Sequence, residues 1–199
     1  MKKLLSQIRK CTICEQHLPL GANPVVRASK KSRIVIVGQA PGTRVHQTGI
    51  PWNDPSGQQL RTWLGVCEEQ FYDADKFAII PMGFCYPGKG KSGDMSPRKE
   101  CAPQWHSTLF EQMNDVSLVL LIGMYAQKHY LADRSKPTLT ETVQSFQNYL
   151  PEYFVLPHPS PRNRFWMKKN AWFEAEVLPV LRTTVASVLD GKPSVPCEI

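Results

Sequence analysis

The stretch Ile34-Val35-Ile36-Val37-Gly38-Gln39-Ala40-Pro41-Gly42 joins an apolar run to a turn built from glycine and proline. The run is short, β-branched and bounded by residues that break regular structure, which is typical of a buried parallel strand. A turn directly after such a strand lies at the carboxyl edge of the sheet, where open α/β sheets bind their ligands. Glycine lets the backbone approach a ligand closely, and proline fixes the turn. The stretch therefore predicts an α/β fold with a site at this edge, although plain strand punctuation would give the same pattern.

Further apolar runs predict a sheet, and the segments between them predict helices. Strands are expected at 33–37, 77–80, 118–122 and 153–156, and helices near 4–14, 56–67, 124–132, 139–149 and 170–189, with one more opening at Pro97. This alternation predicts a three-layer α/β/α sandwich around a central four-stranded parallel sheet. We expect residues 1–190 to form a single domain and residues 191–199 to form a flexible tail.

The charge balance favours a polyanionic partner. The chain has 199 residues and a formal net charge of +7. Its cations cluster at 27–33, at 89–99 and at 162–169, and lysines or arginines that contact phosphates release counterions. A merely solvated basic surface is the alternative. No apolar run approaches the length of a membrane span, and the amino terminus lacks a secretory h-region, so we expect a cytoplasmic protein, a monomer, with no membrane partner.

Six cysteines in a cytoplasmic chain argue against disulfides. Cys11 and Cys14 form a C-x2-C pair, and Cys85 and Cys101 stand sixteen residues apart. The pattern leaves several possibilities open, namely buried free thiols, a redox pair, a zinc site, or an iron–sulfur cluster held by thiolates from separate segments.

A second proline-fixed turn follows the expected fourth strand. It reads Leu156-Pro157-His158-Pro159-Ser160-Pro161-Arg162-Asn163. Together with Gly38–Gly42 and the segment Thr48-Gly49-Ile50-Pro51-Trp52, this turn resembles the two sequence motifs of the uracil-DNA glycosylase superfamily. The resemblance covers roughly residues 8 to 185 and is greatest to the iron–sulfur, or family 4, branch.

The resemblance implies a set of site residues. His158 would donate a hydrogen bond to the leaving base, and Trp52 would stack on it. The implied catalytic residues are His158, Asp54 and Gln39; the substrate-binding residues are Gly38, Ala40, Pro41, Gly42, Trp52 and Asn53; the DNA-binding residues are Ser160, Arg162, Asn163, Arg164 and Lys168. Cys11, Cys14, Cys85 and Cys101 would hold a 4Fe–4S cluster, with no nucleotide cofactor. The simpler interpretations are a structural histidine, a core tryptophan, a solvated arginine loop, and Asp54 as a helix cap.

Two positions depart from the family pattern. Ala40 stands where the best-known members carry Asp or Asn, and Pro81 or Met82 stands where family 4 has an Asn that reads uracil. We therefore expect a monofunctional hydrolase of N-glycosyl bonds in DNA repair, acting by base flipping on uracil or another deaminated base, with relaxed base selection. The alternatives are a glycosylase-fold protein that binds DNA without cutting, or a redox or structural iron–sulfur protein unrelated to DNA.

Overall fold

Four parallel strands form one sheet in the computed structural model, which describes residues 1–91 and 93–190. The strands are β1 (Ile34–Val37), β2 (Phe77–Ile79), β3 (Leu118–Ile122) and β4 (Tyr153–Leu156), in the order β2-β1-β3-β4. Ile36 pairs with Ile79 on one side and with Leu120 on the other, and Leu120 pairs with Phe154. The order reverses beside β1, so the carboxyl ends of β1 and β3 flank a topological switch point. The expected tail at 191–199 lies outside the described residues.

Helices pack around this sheet, and the predicted fold class is confirmed. They are α1 (Lys2–Arg9), α2 (Thr43–Thr48), α3 (Pro55–Leu64), α4 (Glu68–Tyr72), α5 (Ser107–Glu111), α6 (Met124–Leu131), α7 (Leu139–Gln144), α8 (Arg164–Lys169) and α9 (Leu178–Asp190). Short 3₁₀ turns lie at Glu15–His17, Ala132–Arg134, Phe146–Tyr149 and Pro161–Asn163, and π-helical turns at Ala102–His106 and Phe173–Val177. Helix α9 packs against α3, α6 against β3, and α7 against β4. Within the two described ranges, no helix combines the length and apolar character of a membrane span.

Some predicted helix boundaries are wrong. Pro97 does not open a helix: residues 95–98 are irregular, residues 99–100 form a turn, and the helical segment begins at Cys101, with the π-helical turn at Ala102–His106. The helix expected at 56–67 begins at Pro55 and ends at Leu64, because Asp54 is its N-cap and the Asp54 Oδ1 accepts from the Gly57 amide at 2.8 Å. The expected helix at 139–149 ends its α-helical part at Gln144.

The sheet lies in the centre of one large apolar cluster. Every residue of β1 is fully buried, as are Phe77 and Phe154 on the neighbouring strands. Strands buried on both faces read as continuous apolar runs, which is why the sequence predicts them well. The cluster extends from Leu4 in α1 to Leu189 in α9.

His106 is a buried polar group within this core and is 3% exposed. Its Nδ1 lies 2.6 Å from the Tyr130 hydroxyl, and its Nε2 lies 3.1 Å from the Pro81 carbonyl oxygen. The pKa of His106 is lowered to about 4, chiefly by burial; the bond to Pro81 opposes this shift, and the neighbouring His129 contributes to it. The imidazole is therefore neutral in the folded protein at neutral pH.

The lowered pKa of His106 predicts a loss of stability on acidification. The unfolded chain binds a proton near the ordinary pKa of about 6.5, whereas the folded protein binds it only near 4. The contribution of His106 to the free energy of unfolding should be fully present above pH 6.5 and should fall by about 3 kcal/mol as the pH drops to 4. Urea denaturation across this range should show that the free energy of unfolding depends less steeply on pH for His106→Gln than for the wild type. Equal slopes would mean that His106 is not the source of the pH dependence.

Candidate active site

A cavity of about 520 Å³ opens at the carboxyl edge of the sheet. Its walls bring together three segments that are far apart in the sequence, and the predicted site residues among them are Gly38, Gln39, Ala40, Pro41, Gly42, Trp52, Asp54, His158, Ser160, Arg162 and Asn163. Its volume lies in the usual range for a small-molecule pocket. The two turns identified in the sequence therefore line one cavity.

Trp52 is fixed in this cavity by its neighbours. Its φ of 57° is left-handed, which is uncommon for a bulky side chain and persists only where the surroundings impose it. A Cβ added at Gly38 would lie 2.8 Å from the indole ring, and one added at Gly57 would collide with the Trp52 carbonyl. The Pro51 carbonyl next to it accepts a bond from the Tyr72 hydroxyl at 2.9 Å. Both glycines are therefore needed for the position of the indole.

His158 lies beside this indole, with the two ring centroids 5.5 Å apart and inclined by 31°. Burial lowers the pKa of His158, and the charge of the nearby Asp54 opposes that shift. The side-chain amide of Asn163 donates to the His158 carbonyl oxygen at 2.7 Å, which ties the histidine to the turn that follows it. A neutral imidazole offers one N–H donor to whatever occupies the cavity.

Asp54 belongs both to α3 and to the cavity. Its Oδ1 caps the helix, so the cap interpretation from the sequence is confirmed. The same carboxylate lines the cavity and acts electrostatically on His158. Capping occupies one oxygen and leaves the carboxylate charge available to the cavity.

The Gly38–Gly42 turn is held from behind by the segment that follows β2. The Met82 amide donates to the Gly38 carbonyl at 2.9 Å, and the Gly83 amide donates to the Gln39 carbonyl at 3.0 Å. Proline has no N–H, so Pro81 adds no donor. The backbone donors of this segment are thus engaged with the turn and are not free to read a base.

Sequence reasoning missed a hairpin-like loop that covers one side of the cavity. Lys89 pairs with Asp94 across it, and the Gln39 side-chain amide donates to the Met95 carbonyl at 3.3 Å. Asp94 lines the cavity, and the Arg162 guanidinium lies against Gly93. The glycines and prolines at 86–96 are typical of a long loop, and nothing in that sequence pattern indicates the pairing.

The face beside the cavity is basic and carries an unexpected aromatic ring. Arg164 and Lys168 are exposed on α8, outside the cavity, and Lys169 is exposed next to them. Phe165, on the same helix, is 80% exposed. Asn53 does not line the cavity, and its backbone amide donates to the Ile50 carbonyl at 3.4 Å.

The four predicted cysteine ligands lie close enough to influence one another. The pKa of Cys85 is raised to about 11 and that of Cys101 to about 12, chiefly by burial, and the charges of neighbouring Cys14 and Cys11 contribute to both shifts. Cys14 and Cys85 share a small buried cluster with Leu18. Among the described residues, no three His, Cys, Asp or Glu side chains have the arrangement of a metal-ion site. The donor types and their convergence fit a thiolate-bound group, whereas the side-chain positions are not those of a formed site.

Comparison with known proteins agrees with the motifs. The family model described as the uracil DNA glycosylase superfamily matches residues 26–182. A protein of Thermotoga maritima named type-4 uracil-DNA glycosylase is 25% identical over 166 residues, which cover 80% of this chain and 81% of that protein.

Proposed function

Because this chain belongs to the uracil-DNA glycosylase superfamily, we propose that it hydrolyses the N-glycosidic bond of uracil or another deaminated base in DNA. The observation that carries the proposal is the placement of His158 beside Trp52 and near Asp54 in one cavity. The similarity to a type-4 uracil-DNA glycosylase supports uracil as the first substrate to test.

The proposed reaction assigns one task to each of these groups. A base rotated out of the helix stacks on Trp52. As the bond to C1′ breaks, its electrons pass to the base, and His158 donates a hydrogen bond to the developing anion. The Asp54 carboxylate stabilises the cation-like sugar and takes a proton from the water that adds to C1′. Asp54 releases that proton to solvent, and the base anion takes up one proton from solvent as it leaves, so the net reaction consumes one water molecule and restores the carboxylate.

Asp54→Asn separates the catalytic role of this residue from its role as a cap. Asparagine caps a helix about as well as aspartate, so the melting temperature should change little. Excision should fall by roughly 10²-fold or more if the charge acts on the sugar, since a positioned electrostatic group is typically worth this much. The measurement is single-turnover excision from a uracil-containing oligonucleotide, with thermal unfolding of the same samples.

Asp54→Ala serves as the matched control, because it removes both the charge and the cap. It should lose excision to the same extent as Asp54→Asn and in addition lose about 1 kcal/mol of stability. If Asp54→Asn excises as fast as the wild type, Asp54 is a cap alone and the sugar is served by another group.

The main alternative is a protein that holds damaged DNA without cutting it. Ala40 lines the cavity where a water-activating acid or amide stands in the best-known members, which favours this alternative. One experiment tests both the enzyme and the binding protein. The protein is incubated with single- and double-stranded oligonucleotides that carry uracil, hypoxanthine or xanthine, and the products are then treated with alkali to break the strand at any abasic site. Strand breaks at the lesion support the enzyme, and tight lesion binding without breaks under single-turnover conditions supports the binding protein.

We also propose that Cys11, Cys14, Cys85 and Cys101 hold a 4Fe–4S cluster. The support is the donor type and the mutual proximity of the thiols. The cluster's positive iron ions would stabilise the four thiolates, and for Cys14, Cys85 and Cys101 they would offset the rise in pKa that burial causes. It would join the segment after α1 to the turn before the Ala102–His106 helix, which is a structural role.

The cluster proposal predicts a coloured protein. Material purified without oxygen should be brown, with broad absorbance near roughly 400 nm, and should contain iron and sulfide. Cys85→Ala should lose the colour, whereas Cys67→Ala, outside the proposed ligand set, should keep it. A colourless preparation with stoichiometric zinc, or with no metal, would contradict the proposal.

A further inference from the structure

A chain of hydrogen bonds connects the partly buried Tyr130 to the wall of the cavity. A carbonyl oxygen only accepts, so His106 must carry its proton on Nε2 and donate it to Pro81. Nδ1 is then an acceptor, and the Tyr130 hydroxyl donates to it. The bonds run in one direction, from Tyr130 through His106 to the Pro81 carbonyl. None of the catalytic steps proposed above uses these two side chains.

The chain continues through the residues after Pro81. The amides of Met82 and Gly83 donate to the carbonyls of Gly38 and Gln39. Successive carbonyls of an extended strand point in opposite directions, but these two point to the same side, which marks a turn. The segment 81–83 is therefore held by His106 on one side and holds the Gly38–Gly42 turn on the other.

Peptide geometry then fixes the direction of two further donors. In a planar trans peptide, the C=O of one residue and the N–H of the next point in opposite directions. The N–H groups of Gln39 and Ala40 consequently point away from segment 81–83. In the described part of the chain, neither amide donates to another backbone group, and both residues line the cavity. Two adjacent, unpaired amides form a site for an anionic oxygen.

We propose that Tyr130 and His106 are positioning residues, which hold the Gln39 and Ala40 amides, through Pro81–Gly83, in the direction that an anionic oxygen in the cavity requires. The catalytic part of this proposal rests on the proposed function, whereas the structural part does not. A donor array that is fixed before the reaction stabilises developing charge without reorganising. A displacement of about 1 Å can cost up to about 10²-fold in rate.

Tyr130→Phe tests the proposal because it removes one hydroxyl and keeps the ring. The control is Tyr153→Phe, which makes the same change on a neighbouring ring of the same aromatic cluster that lies outside the chain to Pro81. In ¹⁵N-labelled protein, Tyr130→Phe should shift the amide resonances of Gln39 and Ala40 and alter the tautomer signal of His106, whereas Tyr153→Phe should leave the three signals unchanged. This measurement needs no activity, so it remains informative if the wild type excises no base.

The kinetic measurement uses the same two variants. Tyr130→Phe should lower kcat by roughly 10- to 10²-fold with little change in KM, and Tyr153→Phe should match the wild type. His106→Gln keeps an N–H that can reach Pro81 and should retain more activity than His106→Leu. Equal resonance shifts in both tyrosine variants, or a fall in melting temperature without a change in shifts or kcat, would overturn the positioning role. Resonance shifts that are the same in Tyr130→Phe and Tyr153→Phe therefore refute this inference. Absence of base excision by the wild type refutes only the proposed function.

Discussion

His158→Ala is expected to lower single-turnover excision by roughly 10²–10³-fold while binding to the same oligonucleotide is retained. Loss of one positioned donor to a developing anion typically has this effect. The imidazole lies beside the Trp52 ring, and its burial keeps it neutral, so it is a donor before the bond breaks. Trp52 and the basic face are unchanged in the variant, which is why binding should persist.

The control for this experiment is His17→Ala, which removes an exposed imidazole from a turn near the amino terminus. It should excise at the wild-type rate. If His158→Ala excises as fast as His17→Ala, the histidine is structural and the developing anion is met by other donors. If excision and binding are lost together with the fold, His158→Gln, which keeps a side-chain N–H, distinguishes a missing donor from misfolding.

Removal of the basic face should have the second large effect. The exposed cations next to the cavity, Arg162, Arg164, Lys168 and Lys169, would neutralise phosphates on either side of the flipped nucleotide. Each lost contact lowers the slope of log affinity against log salt by about 0.9 on duplex DNA and about 0.7 on single strands. The fourfold glutamine variant should therefore lose about 3.6 in slope on duplex DNA and bind roughly 10³-fold more weakly near 0.1 M salt.

Four other exposed cations offer a matched control. Lys2, Lys3, Arg9 and Lys10 lie on α1 and its carboxyl end, and none of them lines the cavity. Their replacement changes the net charge by the same amount. Fluorescence anisotropy over a salt series should show the wild-type slope for this control. Equal losses in both variants would mean that the affinity depends on net charge alone, and an unchanged slope in the first variant would place the DNA-binding face elsewhere.

The sheet and the convergence of the two turns could be predicted from the sequence because burial on both faces leaves a simple signal. Ile34–Val37 and Leu118–Ile122 are uninterrupted apolar runs, and each became a central strand. Parallel strands present their carboxyl ends at one edge, so the turn after β1 and His158 after β4 had to lie at the same edge. That reasoning requires no knowledge of side-chain geometry.

Other parts of the site have no comparable signal. Helix α2 has six residues, too few for an apolar period to be visible. Asp94 reaches the cavity through a pairing between loop residues, and the bond from His106 to Pro81 joins segments 25 residues apart. Pro97 carried a genuine helix-start signal, but tertiary contacts with Gly83 and the following ion pair took precedence. Such features follow from packing that one sequence does not encode locally.

The sheet stabilises the fold, whereas the connecting loops carry the candidate site, and this separation has an evolutionary consequence. The strands that stabilise the protein are buried except for Tyr153 at the start of β4, whereas Gln39, Trp52 and His158 stand on connecting segments and are only partly buried. Selection for folding and selection for chemistry thus act on separate positions. A lineage could exchange one lesion for another, or lose turnover altogether, through changes in these segments while every intermediate sequence remained folded. Ala40 and Pro81 stand on the segments that follow β1 and β2, so their side chains can be exchanged while the strands keep their continuous apolar character.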